Sequence, residues 1–368
     1  MRRITQCGLS HYVYPGANHT RFHHTLGATH LMSQAIISLR SKGVQITDSE
    51  YEAACIGTLL HDIGHTPYSH ALESRIVNLD HESISLILAK QMNEEFNGRL
   101  SLAIQLLTNN YEKKFLCQLL SSQLDVDRLD YLIRDSFYTG VAEGTIGYER
   151  ILNTLNVVNN RLVIENKAIH SVEKFLVSRH LMYNQVYMHK TVLALEQMLV
   201  LLVKRIKYLL ESNLKVELTP PLTTLLEVND PENDPNFIQN FVLLDDYDLV
   251  YVMKMGLSHK DFVFSFLCKC LIFRKIFKIE WIYSDEKRYL LKSKRLELQR
   301  SLGVADDESA YLMRSGEESS TSYLLNEEIE ILLDNGQTSP LSKLSGIAFS
   351  HERYTKGFVC YPRINTEV

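Results

Sequence analysis

The sequence predicts a mainly α-helical protein with a small α+β lobe at its C-terminal end. Apolar residues recur at helical spacing through most of the chain, as in the segment 49–62. Residues 155–165 instead resemble two short strands joined by a turn. From about Glu280 the pattern shifts, and the segments 328–333 and 357–361 alternate or run apolar as strands do.

The predicted elements can be placed in order along the chain. Helices are expected from near residue 20 to 42 and over 49–62, 83–91, 100–107, 113–121 and 123–135. The hairpin at 155–165 is followed by one long helix over 171–212, a loop over 217–236 and helices over 245–256 and 259–273. The last part is expected to contain a basic helix over 288–302, a polar loop over 317–322 and the two strands.

Composition limits the possible functions. The 368 residues are 45% hydrophobic and 23% charged, as in ordinary soluble globular proteins. A net charge of −5 argues against non-specific binding to nucleic acid, which requires a basic surface. The six cysteines are scattered and are interpreted as reduced thiols. The most apolar stretch, 262–272, is too short to span a membrane, so a cytoplasmic protein without a membrane partner is expected.

The dipeptide His61-Asp62, at the end of the predicted helix 49–62, is the first candidate site. Imidazole nitrogen and carboxylate oxygen both bind divalent ions such as Mn, Fe, Ni or Zn. His65 lies four residues after His61, so both side chains share a face if the helix continues. Taken alone, the dipeptide is most often a chance pairing in which the histidine caps a helix.

A second polar face lies in the predicted helix that ends near Asp135. Asp127 and Tyr131 are four residues apart, Asp135 continues their face, and Arg128 flanks it. These side chains would be costly against an apolar core and suit a polar cleft that holds a metal and a phosphate. The alternative is a solvated helix face with surface salt bridges.

Together with an upstream pair, these segments resemble the HD phosphohydrolase superfamily. The ordered motifs are Arg21-x-x-His24, His61-Asp62 and Asp127. Their flanks are similar to deoxynucleoside triphosphate triphosphohydrolases of the SAMHD1 type and their bacterial relatives, over residues 14–27, 61–70, 125–131 and 187–190. The resemblance is dense over residues 3–190. It is thin afterwards. We therefore expect an HD-domain catalytic core at 1–140, a helical extension that completes the active site at 141–280 and, from the pattern shift near Glu280, an α+β lobe at 281–368.

The resemblance also implies a role for individual residues. One divalent transition metal would be held by His24, His61, Asp62 and Asp127, and Mg²⁺ could accompany the triphosphate. The implied catalytic residues are His65, His70, His81 and Glu82. The implied substrate contacts are Gln6, Arg21, Arg128, Tyr131, Asp135, Arg179 and Tyr187. Of these, Gln6 and Asp135 would hold the sugar 3′-hydroxyl.

The implied reaction converts a deoxynucleoside triphosphate and water into a deoxynucleoside and tripolyphosphate. A metal-activated hydroxide would attack the α-phosphorus, and His70 is expected to protonate the leaving oxygen. His65 would be a phosphate contact or the alternative acid. Arg21 and Arg128 would neutralise the charge that grows on the phosphates. Glu73 stands where the family often has aspartate.

Two other functions remain open at this point. One is an HD-type phosphodiesterase or nucleotidase acting on another nucleotide, and the other is a non-catalytic nucleotide- or RNA-binding module. The number of implied phosphate and sugar contacts favours the triphosphohydrolase. Its expected partners are deoxynucleoside triphosphates, a nucleotide activator and further copies of the chain in a dimer or tetramer. Met1 opens on what resembles the middle of the family's first block, so the start is misplaced or trimmed, or the protein lacks that piece.

Overall fold

The fold of this chain, in a computed structural model, is mainly α-helical, as the sequence predicts. The structure describes residues 1–228, 230–282, 287–320, 328–347 and 354–363. The helices up to residue 182 are α1 (Arg21–Ser41), α2 (Asp48–Leu60), α3 (His81–Glu95), α4 (Ser101–Leu107), α5 (Lys114–Leu120), α6 (Val126–Thr139), α7 (Tyr148–Thr154) and α8 (Ile169–Met182).

The second half of the chain adds shorter helices and most of the strands. Its helices are α9 (Lys190–Glu211), α10 (Pro220–Glu227), α11 (Phe237–Phe241), α12 (Asp246–Met255), α13 (Phe262–Ile272), α14 (Lys287–Leu302), α15 (Asp306–Ser309) and α16 (Leu341–Leu344). The strands of the whole chain are β1 (Leu155–Val158), β2 (Arg161–Glu165), β3 (Lys278–Ile282), β4 (Arg314–Ser320), β5 (Glu330–Leu332), β6 (Thr338–Pro340) and β7 (Tyr354–Tyr361).

Side-chain caps fix the helix starts from which the site is built. The Thr20 side chain accepts a hydrogen bond from the backbone of His23, and the His23 ring accepts one from the backbone of Thr20. Thr47 and Glu50 form the same reciprocal cap on α2. Asp125 caps α6 by accepting from the backbone of residue 128. Such caps satisfy backbone N–H groups that have no partner within the helix, so the helix ends that carry His24 and Asp127 are well defined.

Two small sheets complete the fold. The hairpin β1–β2, which the sequence predicts, is extended by β5 in parallel and then by β6 in the order β1-β2-β5-β6. In the other sheet β7 lies between β3 and β4, and both pairs are antiparallel. Residues of the last part of the chain therefore pair with the hairpin near residue 160 as well as with one another. The division into three segments at 140 and 280 stays a prediction.

The apolar interior has two main parts. One surrounds α9 and includes Leu202 and Phe264, and the other packs under α1 and α8 and includes Ile36 and Phe175. Both are composed of fully buried side chains. The cleft described below is lined from both parts, since Leu120 belongs to one and Leu193 to the other.

The prediction of one continuous helix over residues 171–212 is wrong. α8 passes into a π-helical turn over Tyr183–Tyr187, and α9 starts after a bend of 58°. His189 caps the new helix by accepting a hydrogen bond from the backbone of Thr191. The apolar pattern continues across the break, so periodicity gave no sign of it. π-helical turns are rare and occur often at functional sites, and this one delivers Tyr187 to the cleft.

Three smaller expectations also need correction. The loop expected over 217–236 contains α10, which starts at Pro220 as proline at a first helical position favours. The polar segment expected as a loop over 317–322 lies in β4 as far as residue 320, and residues 321–322 lie outside the described residues. Strand β3 was not predicted, because it is only five residues long and carries Lys278 and Glu280 on one face.

Membrane-spanning helices were sought among the described residues. No single one of these helices is long and apolar enough to cross a bilayer. One bent pair, 166–187 with 190–211, passes the test by length and composition alone. The apolar side chains of α9 are buried within the fold.

Candidate metal centre and active-site cleft

One cleft of about 890 Å³ brings the predicted site residues together. Its lining contains Gln6, Arg21, His61, Asp62, His65, His70, His81, Glu82, Asp127, Arg128, Tyr131, Asp135, Arg179 and Tyr187. His24 is the one predicted site residue outside this lining, and it lies fully buried behind it. The volume is in the range of cavities that enclose a small-molecule ligand.

Two imidazoles and two carboxylates converge at one wall of the cleft. Oδ1 of Asp127 lies 2.8 Å from Nε2 of His24 and 3.3 Å from Nε2 of His61. The Asp62 carboxylate lies 3.7 Å from Nε2 of His24 and 3.4 Å from Nε2 of His61. The four residues come from the start of α1, the end of α2 and the start of α6, so each is held at a helix terminus.

The hydrogen bonds of the two rings leave the correct nitrogens for a metal. Nδ1 of His61 lies 2.6 Å from the carbonyl oxygen of Thr58, to which it donates. Nδ1 of His24 lies 2.8 Å from Oδ2 of Asp130. Each ring therefore presents Nε2 to the carboxylates of the cluster. Ligating histidines are oriented in this way by a carbonyl or carboxylate on the other nitrogen, so the donor set fits a divalent cation.

The charges at this wall favour a cation. Burial would lower the pKa of His24, but hydrogen bonds to Asp127 and Asp130 raise it to about 10. Burial likewise opposes protonation of His61, and the charges of Asp62 and Asp127 raise its pKa to about 9. Despite burial, the pKa of Asp127 is held low by both imidazoles. Protons and a divalent ion would thus compete for the same negative pocket.

Two further groups in the described residues bring metal-ligating atoms together. His65, His70 and His81 form one, and Cys7, His19 and Asp135 form the other. No carboxylate belongs to the first, so it offers no charge to balance a dication. In the second, burial raises the pKa of the Cys7 thiol, and thiolate ligation would be costly. The wall of His24, His61, Asp62 and Asp127 is the better metal site.

Arg21 is a buried cation at the edge of the metal wall. Its guanidinium donates to Oδ2 of Asp62 at 2.5 Å and to Oγ of Ser69 at 2.8 Å. Tyr68 and Ser69 both have positive φ values, of 57° and 59°, a left-handed turn that non-glycine residues rarely adopt. This turn brings the Ser69 hydroxyl to Arg21, so the loop after α2 supports the arginine within the cleft.

Three histidine rings pack against one another in edge-to-face and tilted arrangements, and Glu73 bonds two of them. Nδ1 of His70 lies 2.9 Å from Oε2 of Glu73, and Nδ1 of His81 bonds Oε1 of the same carboxylate. The rings of His65 and His81 are 4.0 Å apart, and those of His65 and His70 are 4.8 Å apart. The longer side chain of Glu73 therefore reaches both rings. Glu82 lies beside them in the first turn of α3.

The three rings differ in their surroundings, and two of them differ in their affinity for a proton. Burial and then the charge of Arg21 keep the pKa of His65 well below its usual value. Burial also opposes protonation of His81, but Glu73 raises its pKa. The His70 side chain is 62% exposed, which makes it the ring most open to the cleft and solvent. The neutral ring of His65 therefore lies beside the ring of His81, which is paired with the Glu73 carboxylate.

Two arginines and a tyrosine form a further part of the lining, the arginine wall. Arg128 donates to the Asp125 carboxylate and to the backbone oxygen of Ser122. Tyr131 follows on the same face of α6, and Arg179 comes from α8. Burial raises the pKa of Tyr131 to about 12 against the opposing charges of both arginines, so its hydroxyl stays protonated. Guanidinium groups that project into a cleft are suited to phosphate oxygens.

In another part of the cleft Asp135 is held by the buried His19 and the half-buried Tyr187. Its Oδ2 accepts from the Tyr187 hydroxyl at 2.5 Å, and its Oδ1 lies 2.7 Å from Nε2 of His19. The ring of His19 is stacked on Tyr138 with 4.5 Å between the centroids. Oε1 of Gln6 is buried and has no hydrogen-bond partner in the described residues. A buried acceptor without a partner indicates a ligand group in this part of the cleft.

Sequence reasoning missed three residues that hold the site together. These are His19, Asp130 and Asp246. Asp246, on α12, accepts hydrogen bonds from the backbones of Thr5 and Tyr68 and thereby joins the two loops beside Arg21. The sequence did contain a sign of the role of Asp130, since this residue follows Asp127 by three positions and lies on the same helix face. Asp246 had none, because its partners are far away in the chain.

Comparison with known proteins finds two family matches. The HD domain family matches residues 21–135, and the HD associated region matches residues 146–217. Both the metal wall and the arginine wall lie largely within these segments. The uncharacterized protein YwfO of Bacillus subtilis (strain 168) is 30% identical, over 99% of this chain and 86% of that protein.

Further relatives include enzymes and a solved structure. Human deoxynucleoside triphosphate triphosphohydrolase SAMHD1 is 27% identical, over 52% of this chain and 37% of that protein. The crystal structure of a phosphohydrolase from Bacteroides thetaiotaomicron VPI-5482 is similar with a TM-score of 0.93 and 44% identity. The match covers 98% of this chain and 92% of that chain.

Proposed function

Because the chain belongs to the HD-domain phosphohydrolase family, we propose that it is a metal-dependent deoxynucleoside triphosphate triphosphohydrolase. The reaction converts the nucleotide and water into a deoxynucleoside and tripolyphosphate. One observation carries the proposal: a single cleft is lined by His61, Asp62 and Asp127 of the four-donor wall, by arginines, and by Gln6, Asp135 and Tyr187. This set of groups suits a metal, a row of phosphates and a deoxyribose.

The residues have distinct tasks in this reaction. His24, His61, Asp62 and Asp127 would hold a divalent metal, which supplies Lewis acidity and activates water at neutral pH when bound. Arg21, Arg128 and Arg179 would bind phosphate oxygens and offset the charge that grows as the ester bond breaks. Among the other proposed substrate contacts, Gln6, Asp135 and Tyr187 would position the sugar. Tyr131 would lie between the sugar and the phosphates.

Proton delivery falls to the histidine group. The leaving 5′-oxygen needs a proton, and an imidazole can supply one near neutral pH. His70 is the expected donor, because its ring is exposed to the cleft while Glu73 fixes its Nδ1. His65 is neutral and buried, which suits a hydrogen bond to a phosphate oxygen. His81 and Glu82 complete the group.

Product analysis tests the proposed reaction. Purified protein with Mn²⁺ is incubated with each of the four deoxynucleoside triphosphates, and the products are separated by anion-exchange chromatography. Deoxynucleoside together with tripolyphosphate is the expected result. Release of orthophosphate, or of pyrophosphate with a deoxynucleoside monophosphate, would assign the cleft to another phosphohydrolase reaction. His61→Ala is the matched inactive control, because it removes a metal donor.

We also propose that the working form is a homo-oligomer that responds to a nucleotide activator, as expected from the sequence. The supporting observation is the resemblance to SAMHD1-type enzymes over residues 3–190. Turnover is measured with and without added GTP, and the mass of the particle is measured by light scattering under the same conditions. Turnover by a monomer that is independent of a second nucleotide would contradict this part of the proposal.

A further inference from the structure

The active-site cleft has an acidic end to which the proposed reaction gives no role. Glu196 on α9 and Glu318 on β4 both line it, and the cleft is also lined by the apolar residues Met188, Val192 and Leu193. Neither glutamate forms a hydrogen bond or an ion pair within the described residues. Two carboxyls are thus brought by distant parts of the chain to one end of a cleft and are left without donors.

This acidic end lies next to the groups proposed to hold the sugar. A Cβ atom added at Gly8 would lie 4.0 Å from Oε1 of Glu196, so the segment after Gln6 passes directly beside that carboxyl. Burial and the charge of Asp135 raise the pKa of the Cys7 thiol, and Glu196 adds a smaller effect of the same sign. Cys7 is therefore within electrostatic range of both Asp135 and Glu196. A sugar held by Gln6 and Asp135 would carry its base close to Glu196.

Gln6 gives independent evidence that a ligand belongs here. Its side chain is 9% exposed, it lines the cleft, and its Oε1 has no hydrogen-bond partner in the described residues. A buried amide oxygen without a donor costs free energy unless a ligand supplies one. The unpaired acceptors at this end are therefore an amide oxygen and two carboxyls, and together they call for a ligand rich in N–H or O–H donors.

The charge state of the pair leaves an acceptor on each glutamate. Burial, with a smaller effect from the charge of Glu318, raises the pKa of Glu196 to about 8. Burial also raises the pKa of Glu318, which the charge of Arg314 opposes. Near neutral pH the pair therefore tends to keep a proton on Glu196, since two half-buried carboxylates within electrostatic range repel each other. Each glutamate still offers at least one oxygen as an acceptor.

We propose that Glu196 and Glu318 select the base of the nucleotide by accepting hydrogen bonds from an exocyclic amino group. The inference rests on the proposed function, which places the nucleoside at this end of the cleft. Adenine, cytosine and guanine carry an exocyclic amino group, whereas thymine has carbonyl oxygens at the exocyclic positions and a single ring N–H. A carbonyl oxygen placed against the Glu318 carboxylate, where an amino group would otherwise lie, leaves both without donors, so thymine would be disfavoured.

The ratio of kcat/KM values for the four deoxynucleoside triphosphates tests the selection. Wild-type protein is expected to use dTTP at least about tenfold less efficiently than the best amino-bearing substrate, because a site built for hydrogen bonds rejects an analogue that lacks the donor. Glu318→Gln should reduce that preference about tenfold, and Glu196→Gln, which replaces a carboxyl that tends to stay protonated, should reduce it less. The gain should appear with dTTP, since the new amide can donate to a carbonyl oxygen.

A matched control separates base selection from a general loss of negative charge. Glu211 lies at the far end of α9 and is exposed, so Glu211→Gln is expected to keep the wild-type ratios. Thermal melting of all variants confirms that folded proteins are compared. Equal use of the four substrates by the wild type, or unchanged ratios in both Gln variants of the cleft, would overturn the inference and leave the proposed reaction intact.

The test remains decisive if no deoxynucleoside triphosphate is hydrolysed. That outcome overturns the proposed reaction, and base selection is then judged by calorimetric binding of dATP and dTTP to the same proteins. Tighter binding of dATP that is lost in the Gln variants supports selection by the amino group. Equal binding of dATP and dTTP to the wild type overturns it.

Discussion

Nδ1 of His24 lies 2.8 Å from Oδ2 of Asp130, and both residues are buried. The same carboxylate receives two hydrogen bonds from Arg134, at 2.8 and 2.7 Å. Asp130 is thus fixed by the arginine and in turn fixes the ring of His24. This chain of contacts turns Nε2 of His24 toward Asp62 and Asp127, and the metal wall depends on a residue that does not face the metal site.

Loss of the Asp130 carboxylate should therefore weaken metal binding without removing a ligand. We expect Asp130→Ala to raise the dissociation constant for Mn²⁺ about 10- to 100-fold, as substitutions behind ligating histidines do. The measurement is a titration against a competing chelator. Asp48→Asn is the control, because its side chain is 99% exposed and remote from the cleft. Unchanged affinity in Asp130→Ala would show that His24 is oriented by packing alone.

The close approach of Asp130 and Arg134 to α1 requires a glycine at position 27. A Cβ atom at this position would lie 2.0 Å from both Oδ1 of Asp130 and an amino nitrogen of Arg134. Gly27→Ala must therefore displace the carboxylate that holds His24. We expect a fall in Mn²⁺ affinity at least as large as for Asp130→Ala, although alanine favours a helix by about 1 kcal/mol over glycine.

The control for this substitution is Gly147→Ala, because nothing lies within 4 Å of the added Cβ there. It should leave Mn²⁺ affinity unchanged. Circular dichroism of both variants checks that the helices persist. Wild-type affinity in Gly27→Ala would mean that α1 and α6 can move apart without loss of the metal wall.

Much of this architecture could be predicted from the sequence, because it depends on local patterns. Helices α1, α2 and α6 have apolar periodicity and capping residues near their ends, and so their positions were correct. The site residues cluster in a few short motifs, which made the cleft lining foreseeable. The break at Tyr183–Tyr187 was not, since the residues around it are as apolar as those of a continuous helix.

The supporting contacts could not be predicted for a different reason. Glu318 reaches the cleft only because β4 pairs with β7, and that pairing depends on the tertiary fold. The chain near residue 318 is polar and had been expected to form a loop. Asp246 likewise joins loops that are more than 170 residues away. Such contacts leave no pattern within a sequence window.

The position of Asp246 gives a prediction about pH and stability. It is 6% exposed, and burial raises its pKa to about 6 although the backbones of Tyr68 and Thr5 donate to it. A carboxyl whose folded pKa exceeds its unfolded pKa binds protons more tightly in the folded state. Its contribution to stability is therefore greatest below about pH 4 and is lost as the pH rises through 6, by about 3 kcal/mol in total.

Chemical denaturation between pH 4 and 7 measures this contribution. Wild-type protein should lose up to about 3 kcal/mol of unfolding free energy from this group, and Asp246→Asn should lack that component. As the pH rises, the unfolding free energy of Asp246→Asn should therefore increase relative to that of the wild type. Asp307→Asn, at an exposed position, is expected to follow the wild-type profile. A constant difference between wild type and Asp246→Asn would show that Asp246 keeps its charge throughout.

If His70 is the proton donor, its loss should affect turnover but not metal binding. His70 is not part of the metal wall, so His70→Ala should retain metal while turnover falls about 10²- to 10⁴-fold, the usual range for a general acid. Metal content is measured by mass spectrometry and turnover by tripolyphosphate release. The control is His30→Ala, an exposed position on α1 that lies outside the cleft lining.

Glu73 links this prediction to the geometry of the histidine group. Glu73→Gln keeps the length of the side chain but removes the charge that raises the pKa of His81. Because the amide can still bond one ring nitrogen, we expect a smaller fall than in His70→Ala, on the order of tenfold. The double variant should be no slower than His70→Ala if Glu73 acts by orienting His70. If His70→Ala keeps full turnover with its metal, another group delivers the proton, and His65 becomes the candidate because its ring lies 4.8 Å from that of His70.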